Sequence, residues 1–157
     1  YFISDVSHLT WLPDRPYTAG EWGYVNGKGR STTSEIYNTV DGPVYQTWME
    51  DITEYKIDAP AGTYEVELLM ADVSRPARQQ ANLLGKGDER ASAVSKRFDI
   101  TICGEVVEQN FSPADNNRYL NACRRRYIVN NNDGCIDIRF TPLQGKPVLS
   151  GLKVRRL

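Results

Sequence analysis

The stretch Gly62-Thr63-Tyr64-Glu65-Val66-Glu67-Leu68-Leu69-Met70-Ala71 decides the fold. Tyr64, Val66, Leu68 and Met70 share one face, and Glu65 and Glu67 share the other. That period of two is the signature of a strand buried on one side. A turn signal, Asp58-Ala59-Pro60-Ala61-Gly62, precedes it, and Thr53 to Ile57 before the turn reads as its partner strand. Further along, Phe98, Ile100 and Ile102 share a face within Arg97 to Cys103. Gly104-Glu105 is a short hairpin turn, and Val106 to Phe111 returns from it. Asn121 to Asn130 alternates again. The turn Asn130-Asn131-Asn132-Asp133-Gly134 leads to Ile136, Ile138 and Phe140, and Gly145-Lys146-Pro147 turns the chain into a last strand, Val148 to Arg156. Strands recur at about ten-residue spacing with turn residues between, and no βαβ alternation is present. The expectation is an all-β, antiparallel β-sandwich with long loops.

The 157 residues suit a single domain, 1–157, with a real core. Two regions interrupt the strand pattern. Residues 1–43 are loop-rich and aromatic, and residues 74–96 form a long polar loop in which Ala77 to Leu84 has the composition for two helical turns. Loops of that length are often functional or mobile. The 19 Lys and Arg against 20 Asp and Glu leave a net charge of −1. That balance provides no overall basic field to hold nucleic acid or an anionic membrane. No apolar run is long enough for a transmembrane helix or a signal peptide. The chain opens on Tyr1-Phe2-Ile3 without Met and is expected to be an excised or processed piece of a longer protein.

A single histidine narrows the chemistry. It excludes a His-rich zinc site, and a Ser-His-Asp triad would have to use His8, which reads as a loop histidine. Cys103, Cys123 and Cys135 lack CxxC spacing, and their odd number forbids complete internal pairing. They read as reduced, largely buried thiols; one disulfide remains open for an exported domain. No GxSxG, HExxH, P-loop or GxGxxG occurs. Gly27-Lys28-Gly29-Arg30-Ser31 lacks Walker spacing and reads as a flexible turn. Glu65 and Glu67 read as a solvated strand face. Asp115-Asn116-Asn117 and the Asn130 to Gly134 run offer oxygens to calcium but lack EF-hand spacing, so turn chemistry explains them and no cofactor is expected.

The aromatic residues carry the functional signal. Trp11, Tyr17, Trp22 and Tyr24 fall within fourteen residues, and Tyr37, Tyr45 and Trp48 follow. Aromatic rings stack on the C–H face of a sugar, and neighbouring Asp, Asn and Arg side chains bond its hydroxyls. About half of these rings are expected in the core, Tyr45 first among them.

In order along the chain, Gly42-Pro43-Val44-Tyr45-Gln46-Thr47, Tyr55-Lys56-Ile57, Ala61 to Leu68, Arg97 to Gly104 and Gly145-Lys146-Pro147-Val148-Leu149 resemble the malectin family from about residue 17 onward. Trp11-Leu12-Pro13-Asp14-Arg15-Pro16-Tyr17 with Glu21 to Val25 resembles, more narrowly, the malectin-like domain appended to bacterial family 2 glycoside hydrolases, β-galactosidases of gut Bacteroidetes above all. The resemblance implies a jelly-roll-like sandwich that is not itself catalytic. Carried over residue by residue, one of the family's sugar-contacting aromatics falls on Trp22 and stays aromatic. The other positions fall on Glu50, on Ser74-Arg75 and on Gly145, so the sugar specificity of malectin itself is not expected here.

The residues expected to contact a glycan are therefore Trp22, Tyr24, Trp48, Glu50 and Arg75. The resemblance implies two partners, a glycan and the catalytic domain of a parent hydrolase, and a periplasmic or extracellular location. Two rival readings stay open. In one, the domain packs on the parent enzyme or supports its oligomer without binding glycan. In the other, it is a small glycosidase, which would need a convergent carboxylate pair in a cleft.

Overall fold

The computed structural model describes residues 2–74 and 95–157. Arg75 and the helical turns expected within 77–84 lie outside the described residues, as does most of the 74–96 loop. In chain order the strands are β1 (Phe2–Ile3), β2 (Thr10–Trp11), β3 (Trp22–Val25), β4 (Lys28–Ser31), β5 (Thr47–Glu50), β6 (Glu54–Asp58), β7 (Gly62–Met70), β8 (Arg97–Ile102), β9 (Glu105–Phe111), β10 (Cys123–Asn131), β11 (Cys135–Gln144), β12 (Val148–Leu149) and β13 (Gly151–Arg156). One short helix, α1 (Gly42–Tyr45), precedes β5.

Two antiparallel sheets face each other. One has five strands in the order β3-β6-β11-β8-β9, and the other has three in the order β10-β7-β13. The alternation in β7 directs Tyr64, Val66, Leu68 and Met70 inward against Phe98, Ile100, Ile102, Ile136, Ile138 and Phe140. Phe98 is fully buried and meets Phe111 and Phe140 edge-on, with centroids 5.7 and 6.0 Å away. Each such side chain contributes roughly 1.5–3 kcal/mol by leaving water, so this shared face holds the sandwich together. A smaller cluster of Ile36, Val44, Tyr45, Leu69 and Ala71 packs on the outer side of β7. Tyr45 is buried there, as expected.

Pairing differs from expectation at one strand. Thr53 to Ile57 does not partner β7; as β6 it lies between β3 and β11 in the opposite sheet. The Asp58 to Gly62 connection is a crossing between sheets rather than a tight hairpin. Pro60 has no N–H to give a ladder. The carbonyls of Ala59 and Pro60 instead accept from Asn131 Nδ2, and that of Pro60 also accepts from the Tyr64 hydroxyl. The last strand also divides. Val148–Leu149 pairs with β5, and after Ser150, whose N–H donates to Leu69 O, Gly151–Arg156 pairs with β7. This switch sets a third small sheet, β12-β5-β4, beside the first two.

Several local expectations also change. Residues 1–43 contain four short strands, with Trp22 and Tyr24 on β3 rather than in a loop. Lys28–Ser31 is a strand paired with β5, and the turn lies at Asn26-Gly27, both at positive φ. Glu67 is not solvated; it is 3% exposed. The three cysteines are unpaired but only half-buried. The hairpin expected at Gly104-Glu105 forms one residue earlier: Cys103 and Gly104 hold φ of 50° and 81°, the left-handed pair that a two-residue turn needs, and Glu105 opens β9 opposite Ile102.

Candidate functional site

β3 lies at one edge of the five-stranded sheet and β13 at one edge of the three-stranded sheet. Between them runs a cleft of about 1350 Å³ whose walls also take in β4, β5 and residues 9–14. Trp11, Trp22, Tyr24 and Trp48 line it, with Asp14 and Arg30 among the polar groups.

Trp22 and Tyr24 reach the cleft because β3 is clamped from outside. The Tyr17 N–H donates to Tyr24 O, and the Tyr24 N–H donates to Arg15 O. Gly23 is required at this crossing, since a Cβ there would overlap backbone atoms of Arg15, Pro16 and Tyr17. The Arg15 guanidinium lies 4.1 Å over the Trp22 ring and donates through Nε to Trp22 O at 3.2 Å. Asp58 anchors the next residues, accepting from the Tyr17 hydroxyl at 2.7 Å and the Gly20 N–H at 2.6 Å. The Tyr17 hydroxyl and then the Gly20 amide hold the Asp58 carboxyl below its ordinary value. The same bond, with desolvation behind it, pushes Tyr17 up to about 12.

Tyr24 faces Tyr55 across the β3–β6 ladder. The Tyr55 hydroxyl donates to Asp14 Oδ1 at 2.8 Å. Desolvation raises the Asp14 carboxyl, partly offset by the Tyr55 and Arg15 donors. Desolvation likewise raises the Tyr55 hydroxyl, so it stays a donor. On the other wall, Trp48 pairs with Arg30 across β4–β5.

The structure thus brings Trp22, Tyr24 and Trp48 to one cleft. It sets Glu50 apart from the lining: its carboxylate sits 3.7 Å from Arg30 and 3.7 Å from Lys146. Glu50, Ser74 and Gly145 belong to a different neighbourhood, joined through Lys146 and through Lys96, which reaches Ser74 Oγ at 2.7 Å and lies beside Gly145. Asp14, Arg30 and Tyr55 escaped the sequence reading. Asp14 stands inside a quoted stretch, but no spacing rule ties it to Tyr55, and the Arg30–Trp48 pairing exists only through strand register. Rings with hydrogen-bonding groups beside them equip the cleft to take an apolar sugar face and bond its hydroxyls. Among the described residues that line it, Asp14 is the one carboxylate.

The Malectin domain family model matches residues 2–151. The chain is similar to Bacteroides uniformis beta-glucuronidase at 42% identity and a TM-score of 0.85, covering 99% of this chain and 17% of that one. It is similarly close to Bacteroides uniformis beta-glucuronidase 2, solved covalently bound to cyclophellitol-6-carboxylate aziridine, at 42% identity, a TM-score of 0.86, and 100% and 16% coverage. The chain therefore spans about a sixth of the length of these enzymes. The ANX2 ectodomain from Arabidopsis thaliana shares the fold, with a TM-score of 0.65 at 16% identity over 96% of this chain and 44% of that one. None of the curated proteins matches the chain.

Proposed function

The chain belongs to the malectin domain family, and from that membership we propose that it is a non-catalytic carbohydrate-binding module of a larger bacterial glycoside hydrolase. The observation that carries this reading is the convergence of Trp22, Tyr24 and Trp48 on one cleft with Asp14 and Arg30 beside them. Glycoside hydrolysis ordinarily uses two carboxyls about 5–10 Å apart across the scissile bond. A cleft wall that offers Asp14 with aromatic rings suits holding a sugar more than cleaving it. The likeness to β-glucuronidases from a Bacteroides species supports a parent acting on β-glycosides, with β-glucuronides ahead of the β-galactosides expected from sequence. Such a module would work outside the cytoplasm, in the periplasm or beyond it. No helix of the described residues is long and apolar enough to cross a membrane.

Calorimetric titration with β-glucuronide and β-galactoside oligosaccharides tests the reading. Binding in the micromolar to millimolar range is expected. Trp48→Ala should weaken it about tenfold, the worth of a stacked ring at roughly 0.5–1.5 kcal/mol plus its buried area. No heat at millimolar ligand, or unchanged affinity in both Trp22→Ala and Trp48→Ala, overturns it.

A second reading, packing on the parent enzyme, draws on the outer face of the β10-β7-β13 sheet. Ile128 and Leu157 are exposed there at 71% and 56%, below the exposed cations Arg126 and Arg155. A parent enzyme that loses thermal stability when this module is deleted, while the module binds no glycan, would favour it.

A further inference from the structure

A second pocket, of about 1000 Å³, lies on the other side of Trp11, over the upper end of the outer β10-β7-β13 face. Leu9, Trp11 and Lys153 line both it and the cleft. Trp22, Tyr24 and Trp48 have no part in it. Its walls include Tyr45, Glu67, Leu69, Asp41 and Arg124.

Two features of this pocket are unexplained by packing. Glu67 is a buried carboxylate at 3% exposure, and its charged neighbours stand at arm's length: Arg124 Nε at 3.4 Å, Arg126 Nε at 3.5 Å and Lys153 Nζ at 3.6 Å. Close charge-assisted bonds run shorter, at about 2.7–2.9 Å. The second feature is the Trp11 indole. Its Nε1 is buried and has no hydrogen-bond partner among the described residues. Buried donors are almost always paired. An unpaired donor and a buried carboxylate ringed by cations thus belong to residues that line one pocket, and the Tyr45 hydroxyl lies in the field of Arg124, Glu67 and Asp41.

The charges restrict what fits between them. An inorganic anion would meet Asp41, Glu67 and Asp115, and a metal or amine cation would meet Arg118, Arg124, Arg125 and Lys153. A neutral molecule that both donates and accepts through adjacent oxygens satisfies every group. We propose that this pocket is a second binding site, for the vicinal hydroxyl pair of a pyranose ring. The Glu67 carboxylate accepts from the hydroxyls, while the Trp11 indole N–H and the Arg124 guanidinium donate to their oxygens. The Trp11 and Tyr45 rings supply the apolar contact. Trp11 is shared, but Tyr45, Glu67 and Arg124 line this pocket alone and Trp22, Tyr24 and Trp48 line the cleft alone, so the two sites can fail separately.

The three tryptophans give three indole N–H resonances, and that of Trp11 reports this site directly. The ¹⁵N-labelled chain is titrated with methyl β-galactopyranoside and with methyl β-glucopyranoside. A saturable shift of the Trp11 indole signal is expected, retained in Trp48→Ala and weakened about tenfold in Glu67→Gln, where a charged acceptor is lost. If circular dichroism finds Glu67→Gln unfolded, Trp11→Phe removes the N–H donor while keeping a ring, and the Leu69 amide reports in its place; weakened binding there supports the site. No saturable shift up to about 50 mM of either glycoside overturns the proposal. So does a shift that disappears in Trp48→Ala yet persists in Glu67→Gln, or a Leu69 response unchanged in Trp11→Phe.

Discussion

Asp58 ties the N-terminal segment to the sheet through Tyr17 and Gly20, and Cys135 faces it across the β6–β11 ladder. Desolvation first, and then the neighbouring Asp58 carboxylate, push Cys135 from 9.0 up to about 11. A thiol raised in the fold contributes stability that is complete below its unfolded value and is lost as pH climbs to the folded one. The chain should therefore lose stability between pH 9.0 and about 11. Cys135→Ala should lose less across that window, read as the pH dependence of the urea midpoint. Equal slopes in the two proteins would contradict this coupling. Asp58 acts in the opposite direction. Its lowered carboxyl stabilises above its ordinary value of 3.8 and stops doing so as pH falls through the folded value, so acid loosens the Tyr17 to Gly20 anchor first. None of this was legible in the chain, because Tyr17, Asp58 and Cys135 meet only through folding.

At the scale of elements, β8 and β11 were readable because each buries one face, and burial writes a period of two into sequence; β7 was readable from its inward face, Tyr64 to Met70, although Glu67 and Leu69 on its outer face are buried too. β3 and β4 were not. They are four residues long, their side chains are half-buried or exposed, and Gly23 and Gly29 interrupt any alternation. Gly23 shows what replaces periodicity there. It admits the backbone of residues 15–17 against β3, which turns Trp22 and Tyr24 toward the cleft. Gly23→Ala should destabilise the chain by about 1–3 kcal/mol, the range for forcing an extra methyl into packed structure. The Arg15 contact over Trp22 should loosen with it, so tryptophan emission should change in the native state. A variant with wild-type stability and emission would remove Gly23 from this role. The same limit explains the mistaken β6 partner: adjacency in sequence favoured β7, but the Pro60 crossing separates the two strands into opposite sheets.

Across the whole molecule, the sandwich is closed by distant pairings. β7 accepts β10 and β13 as neighbours, so Val66 pairs with both Tyr127 and Val154. Loops of this length must close before those contacts stabilise anything, and folds built that way fold in roughly milliseconds to seconds. Stopped-flow refolding followed by tryptophan fluorescence should fall in that range; a microsecond phase carrying the full amplitude would refute it. The sequence by itself determined the all-β class, the inward face of β7 and β8, the burial of Tyr45 and the family, because each is recorded in local alternation, turn residues or ordered motifs. It also singled out Trp22, Tyr24 and Trp48. Tertiary structure alone decided that these rings share a cleft, that Glu50 stays out of its lining while pairing with Arg30 and Lys146, and that Glu67 is buried beneath three cations. Those outcomes depend on strand register and on which sheet each strand joins, and such long-range pairings leave no periodic trace in the chain.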